Sequence, residues 1–108
     1  MIRGTTPTET YPISNSGIDL SACVQIWVTI VDYSGKCYTW DMSRVTLDTE
    51  KSTVSVTLTQ EETLKFAIGD AYAQIRFLTS EDLAYASKRF YFNIEDVVKD
   101  GIIAVSEE

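Results

Sequence analysis

The chain of 108 residues contains no histidine. That one absence removes Ser-His-Asp and Cys-His catalysis and the usual zinc sites together. Cysteine is scarce: Cys23 and Cys37 stand alone, with no metal-ligand spacing between them. The five glycines, at 4, 17, 35, 69 and 101, are isolated, so no Gly-rich phosphate loop exists. Proline is confined to Pro7 and Pro12. Positive charge is also short. Nine Lys and Arg face sixteen Asp and Glu, for a net charge of −7 and a pI near 4.4. Such a field repels phosphate backbones and anionic lipid heads, so neither nucleic acid nor membrane is an expected partner. No apolar run approaches the ~20 residues of a membrane span. Residues 1–7 lack the apolar core of a secretory signal. The expected setting is a cytoplasm, with both thiols reduced and buried.

What is present is a soluble β-protein. A chain of this length buries roughly 60–70% of its unfolded surface, enough for one core, and 44% of its residues are hydrophobic. One domain, 1–108, is expected. The segment 53–66 reads T-V-S-V-T-L-T-Q-E-E-T-L-K-F. It begins with strict alternation that turns Val54, Val56 and Leu58 inward. It ends in Thr59-Gln60-Glu61-Glu62, a Thr-x-x-Glu capping box that predicts a short helical turn over 60–66, with Leu64 and Phe66 plugging the core. Further strands are expected at 24–32, 36–41, around Val45 and Leu47, at 71–79 and at 84–94. Turns separate them at Asn15-Ser16-Gly17, Asp19-Leu20-Ser21-Ala22, Tyr33-Ser34-Gly35-Lys36, 48–52, 80–83 and 95–101. Residues 102–105 read as a last strand or a docking tail. Short strands at this spacing predict an all-β, immunoglobulin-like antiparallel sandwich of about 6–8 strands with one helical turn near 60–66. Asp70-Ala71-Tyr72 resembles the corner at which a tyrosine opens a late strand in such folds.

Two hairpins carry the register questions. In the second, Thr79 opposite Ala84 sets Phe77 against Ala86 and Ala73 against Phe90. Ile75, Phe77, Phe90 and Phe92 then share a core face, and Tyr72, Arg76, Arg89 and Tyr91 a wet one. Lys88 breaks the pattern and asks for a bulge or an edge. In the first, a two-residue loop Ser34-Gly35 sets Tyr38 against Val31 and Trp40 against Thr29. Trp27, Val31, Tyr38 and Trp40 then form one apolar surface, with Val24, Ile26, Val28 and Ile30 opposite. A hairpin apolar on both faces exposes a patch suited to assembly or ligand. A loop one residue longer moves Tyr38 and Trp40 to the Val/Ile face and into the core. In either register the cysteines are roughly 30 Å apart along the strand, beyond the reach of a disulfide.

The Pro-bearing segment 1–12 has two readings: an edge strand of its own sheet, or an extended arm in which Arg3, Thr5 and Pro7 dock on a neighbouring subunit by strand addition. The carboxylates Asp41, Asp48, Glu50, Glu61 and Glu62 read as turn, cap and solubility residues. Asp48 and Glu50 fall short of a calcium-loop pattern. No catalytic residue, metal or cofactor is expected.

Two motifs together carry a family resemblance: Met1-Ile2-Arg3-Gly4-Thr5-Thr6-Pro7-Thr8 at the start, and Ser55-Val56-Thr57-Leu58-Thr59-Gln60-Glu61-Glu62-Thr63 in mid-chain. The chain resembles a family of short phage- and prophage-encoded structural proteins of Firmicutes over most of its length. It is also similar to the N-terminal immunoglobulin-like domain of phage upper baseplate proteins. The resemblance implies a non-enzymatic structural subunit of the tail, baseplate or neck region. Its partners would be other virion proteins or further copies of itself as a homo-oligomer, and its location the virion after a period in the host bacterial cytoplasm. No catalytic residues come with it. The rival expectation is a carbohydrate-binding or adhesin-type module, with Trp27, Tyr38 and Trp40 stacking on sugar rings.

Overall fold

The structure, a computed structural model, describes residues 1–13, 19–99 and 101–103. Eight strands follow in order: β1 (Thr8–Pro12), β2 (Cys23–Val31), β3 (Cys37–Trp40), β4 (Val45–Asp48), β5 (Thr53–Thr57), β6 (Gly69–Thr79), β7 (Ala84–Ala86) and β8 (Phe90–Ile94). One helix, α1 (Gln60–Leu64), and two 3-10 turns, Leu20–Ala22 and Met42–Arg44, complete the described chain. The strands form two antiparallel sheets, β1-β5-β4 and β3-β2-β6-β7, with β8 also paired to β6. The chain crosses between sheets after β1, β3 and β5. This is the immunoglobulin-like order, with β1, β5 and β4 in the places of strands B, E and D, and β3, β2, β6 and β7/β8 in those of C′, C, F and G.

Alternation explains which side each strand buries. Ile26, Val28 and Ile30 of β2, Val54 and Val56 of β5, and Ala71, Ala73, Ile75 and Phe77 of β6 are buried between the sheets. Full burial of a side chain the size of Phe77 contributes about 2–3 kcal/mol. Tyr11 of β1 meets Phe90 of β8 across the core, ring centroids 5.1 Å apart. The connection from β5 to β6 is α1, and its capping box is complete: Thr59 Oγ1 accepts the Glu62 N–H and Glu62 accepts the Thr59 N–H. Phe66 is buried as expected, while Leu64 is half-buried. The expected turn at Asp19 is also present, its carboxylate capping the 3-10 turn Leu20–Ala22.

The first hairpin takes the longer loop. Val28 pairs with Trp40, Ile30 with Tyr38 and Val31 with Cys37, so the two-residue loop and its one-sided aromatic surface are overturned. The cause is local. The Asp32 carboxylate accepts the Ser34 N–H, the Ser34 hydroxyl and the Lys36 N–H through one oxygen and the Ala67 N–H through the other. Gly35 takes φ +86°, and the Asp32 N–H closes the three-residue loop on the Lys36 carbonyl. Trp40 and Tyr38 therefore turn toward the core, where both meet Phe66 edge-on at 6.4 and 4.9 Å.

The second hairpin mixes two registers. Ala73 pairs with Phe90 as expected, but Phe77 pairs with Tyr85, not Ala86. The residue of difference is taken up at 87–89. There Ser87 donates its N–H to the Ile75 carbonyl while its hydroxyl accepts the Ile75 N–H. Lys88 is thereby released to solvent. A shift between Cys23 and Gln25 likewise leaves Val24 47% exposed, outside the core face expected of it. Cys23 is buried, but Cys37 lies exposed on edge strand β3, correcting the expectation of two buried thiols.

Segment 1–12 stays with its own chain. β1 is an edge strand hydrogen-bonded to β5. Ile2 bridges Glu95 in parallel, and Arg3 donates to Asp96 and to the Leu64 carbonyl. The turn expected at Asn15-Ser16-Gly17 lies outside the described residues, as do 104 and 105 of the expected tail. Ile102 and Ile103 are not in a strand, and the Gln60 side-chain amide clasps the Ile103 backbone.

Candidate functional site

The aromatic residues singled out in the first hairpin are divided between the two sides of one sheet. Trp40 donates its indole N–H to Glu62 Oε2 at 2.6 Å, and Tyr38 donates its hydroxyl to the Lys65 carbonyl at 2.9 Å. Burial, followed by the nearby Asp32 charge, pushes the Tyr38 hydroxyl pKa up. Both side chains lock β3 onto the β5–β6 connection. Tyr72, in contrast, does not face that corner. Its ring lies 5.7 Å from Tyr91 and carries the Arg89 guanidinium at 4.5 Å, on the outer side of the sheet.

Trp27 and Val31 remain on that outer side, half-buried. Trp27 pairs with Arg76 and Val31 with Tyr72, so the structure joins them to the wet face of the second hairpin. The outer face of β3-β2-β6-β7 thus presents Trp27, Thr29, Val31, Tyr72, Arg76 and Leu78 side by side. A shallow groove of about 440 Å³ runs across it, lined by Trp27, Thr29, Thr39, Arg76, Leu78 and Ala84. Small side chains make the hollow: Ala84 and Ala86 sit opposite Leu78 and Arg76. The Thr29 and Thr39 hydroxyls bond each other at 2.9 Å. Carboxylates are nearly absent from the strands. Among the described strand residues only Glu9, Asp48 and Asp70 are acidic, and Asp70 sits at the far end of β6, bonded by Asn93.

The other sheet shows a different outer face. Thr8, Thr10, Ser55 and Thr57 project from β1 and β5 as a hydroxyl array, with Thr8 bonded to Thr57 at 2.8 Å and Thr10 to Ser55 at 2.9 Å. Arg3 and Thr5, also singled out, are engaged within the chain. Thr63 Oγ1, fully buried, accepts the Gly4 N–H and donates to the Thr5 carbonyl, and the Pro7 carbonyl accepts the Leu58 N–H.

Three of the acidic residues, Asp41, Asp48 and Glu62, hold structure. Asp41 caps the 3-10 turn Met42–Arg44, and Asp48 accepts the Lys51 N–H. Glu62 pairs with Arg44 at 2.8 Å, and its carboxyl is lowered to about 2, chiefly by that arginine and against the opposing effect of burial. No group of three or more His, Cys, Asp and Glu among the described residues could hold a metal ion. No helix among them is long and apolar enough to cross a membrane.

The signal for the outer-face cluster was half visible in sequence, because the alternation of 71–79 separates Tyr72 and Arg76 from the core. That Trp27 joins them depends on β2 pairing with β6 across more than forty intervening residues, which no local pattern announces. Compared with known proteins, the chain matches no family model, no curated protein and no solved structure.

Proposed function

We propose that this protein is a non-enzymatic structural subunit that works through protein–protein contact, and that its place is a phage or prophage particle. The outer face of the four-stranded path carries the reading. It combines the half-buried Trp27 with Tyr72 and Arg76 on one sheet, with Tyr91 and Arg89 stacked beside Tyr72 at its β8 side. Trp, Tyr and Arg are the residue types enriched in the energetic centres of protein interfaces. The particle itself is implied by the resemblance of the opening and mid-chain motifs to phage structural proteins. Mass spectrometry of purified particles from an induced host tests the reading. Stoichiometric recovery of the chain with tail or baseplate proteins is expected, and its consistent absence from intact particles would overturn it.

A carbohydrate-binding or adhesin-type module is the second reading. It now rests on Trp27 beside the groove, since Tyr38 and Trp40 face inward. Binding on a glycan array that is lost in Trp27→Ala would favour it.

A further inference from the structure

We infer that the outer face of β2, β6 and β7 docks a second copy of this chain, with Arg76 of each copy set against the Glu81-Asp82 turn of the other. The inference deepens the assembly reading above and rests on it for the role of the contact.

Charge selects the partner and the geometry. Arg76 is exposed between Trp27 and Ala86, and no acidic residue lies on β2, β3, β7 or the neighbouring part of β6. Two such faces laid in register would set Arg76 against Arg76, which is unfavourable. The same strand, however, ends in the exposed turn 80–83, which carries Glu81 and Asp82. Arg76 and Glu81 are about 15 Å apart along the strand direction. A two-fold axis crossing β6 near Leu78 exchanges them, placing cation on anion twice with one operation. Leu78 then lies near the axis, and Trp27, level with Arg76 on the neighbouring strand, packs beside each cation–anion pair.

The surface is also prepared for contact. The turn is braced by Thr79 N–H to the Leu83 carbonyl, Asp82 N–H to the Thr79 carbonyl and Leu83 N–H to Thr79 Oγ1. The Ser80 N–H ties it to the Ala22 carbonyl. Little ordering remains for binding to impose. The small Ala84 and Ala86 open the groove beside Trp27, leaving room for side chains of the partner.

Size sets the strength. Three strands spaced ~4.8 Å apart and about eight residues long present a planar area on the order of 400 Å². That is short of the ~800 Å² per partner of stable complexes, so the free protein forms a weak, salt-sensitive dimer.

Sedimentation equilibrium over a hundred-fold concentration range, at low and high salt, tests this. Wild type should dimerise, and high salt should raise its Kd. Arg76→Glu should weaken association by about tenfold or more, and so should E81K combined with D82K. Combining all three should restore most of the affinity, because the charges are exchanged and not removed. Lys51→Glu, which shifts net charge equally on a turn of the other sheet, should leave association unchanged. All these side chains are exposed. Asp82 takes φ +63°, which Lys adopts less readily than Asp, so a cooperative thermal transition well above the assay temperature, with a small drop where D82K is present, confirms that the variants fold. A monomer at every concentration overturns self-docking and leaves the particle reading to its own test. So does a dimer indifferent to Arg76→Glu, or a charge swap that fails to recover. A salt-sensitive dimer that is absent from purified particles overturns the particle reading alone.

Discussion

Glu62 serves three neighbours with one carboxylate: the Thr59 N–H that starts α1, the Arg44 guanidinium and the Trp40 indole. Its side chain is 23% exposed, so these bonds are partly shielded from water. Replacing it by Ala removes a cap worth ~1 kcal/mol and charge-assisted bonds of similar or larger size, and should cost about 2–4 kcal/mol in urea unfolding. The pH dependence has a definite sign. The folded carboxyl titrates at about 2 against an ordinary 4.5, so the unfolded chain takes up the proton first. The contribution is complete above pH 4.5 and is lost as pH falls toward 2, with a ceiling of roughly 3 kcal/mol. Unfolding of wild type and Glu62→Gln across that window should show the slope reduced in the variant. The role of Glu62 in the cap was legible as Thr-x-x-Glu. Its other partners were not, because Trp40 and Arg44 arrive from a different sheet connection. The thiols make a second residue-scale prediction. Cys37 is exposed, whereas Cys23 is buried and its thiol pKa is pushed up by that burial. A thiol reagent should label one cysteine rapidly in the native protein and the second only on unfolding.

At the scale of elements, one residue of loop length decided where two aromatic side chains went. The pattern fits either register, since β2 carries apolar residues on both faces and the aromatic face of β3 can join either. The choice lay in the Asp32 carboxylate and in Gly35, whose φ of +86° suits glycine. Gly35→Ala meets no neighbouring atom, so its cost is conformational and should be about 1 kcal/mol. Asp32→Ala leaves several loop N–H groups without their acceptor. It should cost about 2–3 kcal/mol and broaden amide resonances across 32–37 in NMR spectra. Gly69 is the sharper case. It has φ +129°, and a Cβ there would sit 2.8 Å from the Tyr33 ring. Strands with one polar face, such as β5 and β6, were readable to within a residue or two. The bulge at Ser87 was signalled only by Lys88 falling on the wrong side.

At the scale of the whole molecule, short alternating strands announced a β-sandwich, and the capping box located the turn between β5 and β6. Neither indicated which strands would be neighbours, because pairing across the chain depends on how both sheets fill one core. The two tryptophans measure that outcome. Trp40→Ala opens the core and should cost about 3–5 kcal/mol, while Trp27→Ala trims an outer face and should cost about 1 kcal/mol or less, both read from urea midpoints. The pairing of residues 1–3 with 93–96 has a kinetic consequence. Met1 and Arg3 exchange backbone hydrogen bonds with Glu95, and Arg3 reaches Asp96 over 93 positions of sequence. Contacts of such long range are slow to form. On the ribosome, Arg3 must wait for nearly the whole domain to emerge before its partner exists. Its closing therefore reports that every strand between has been synthesised and placed.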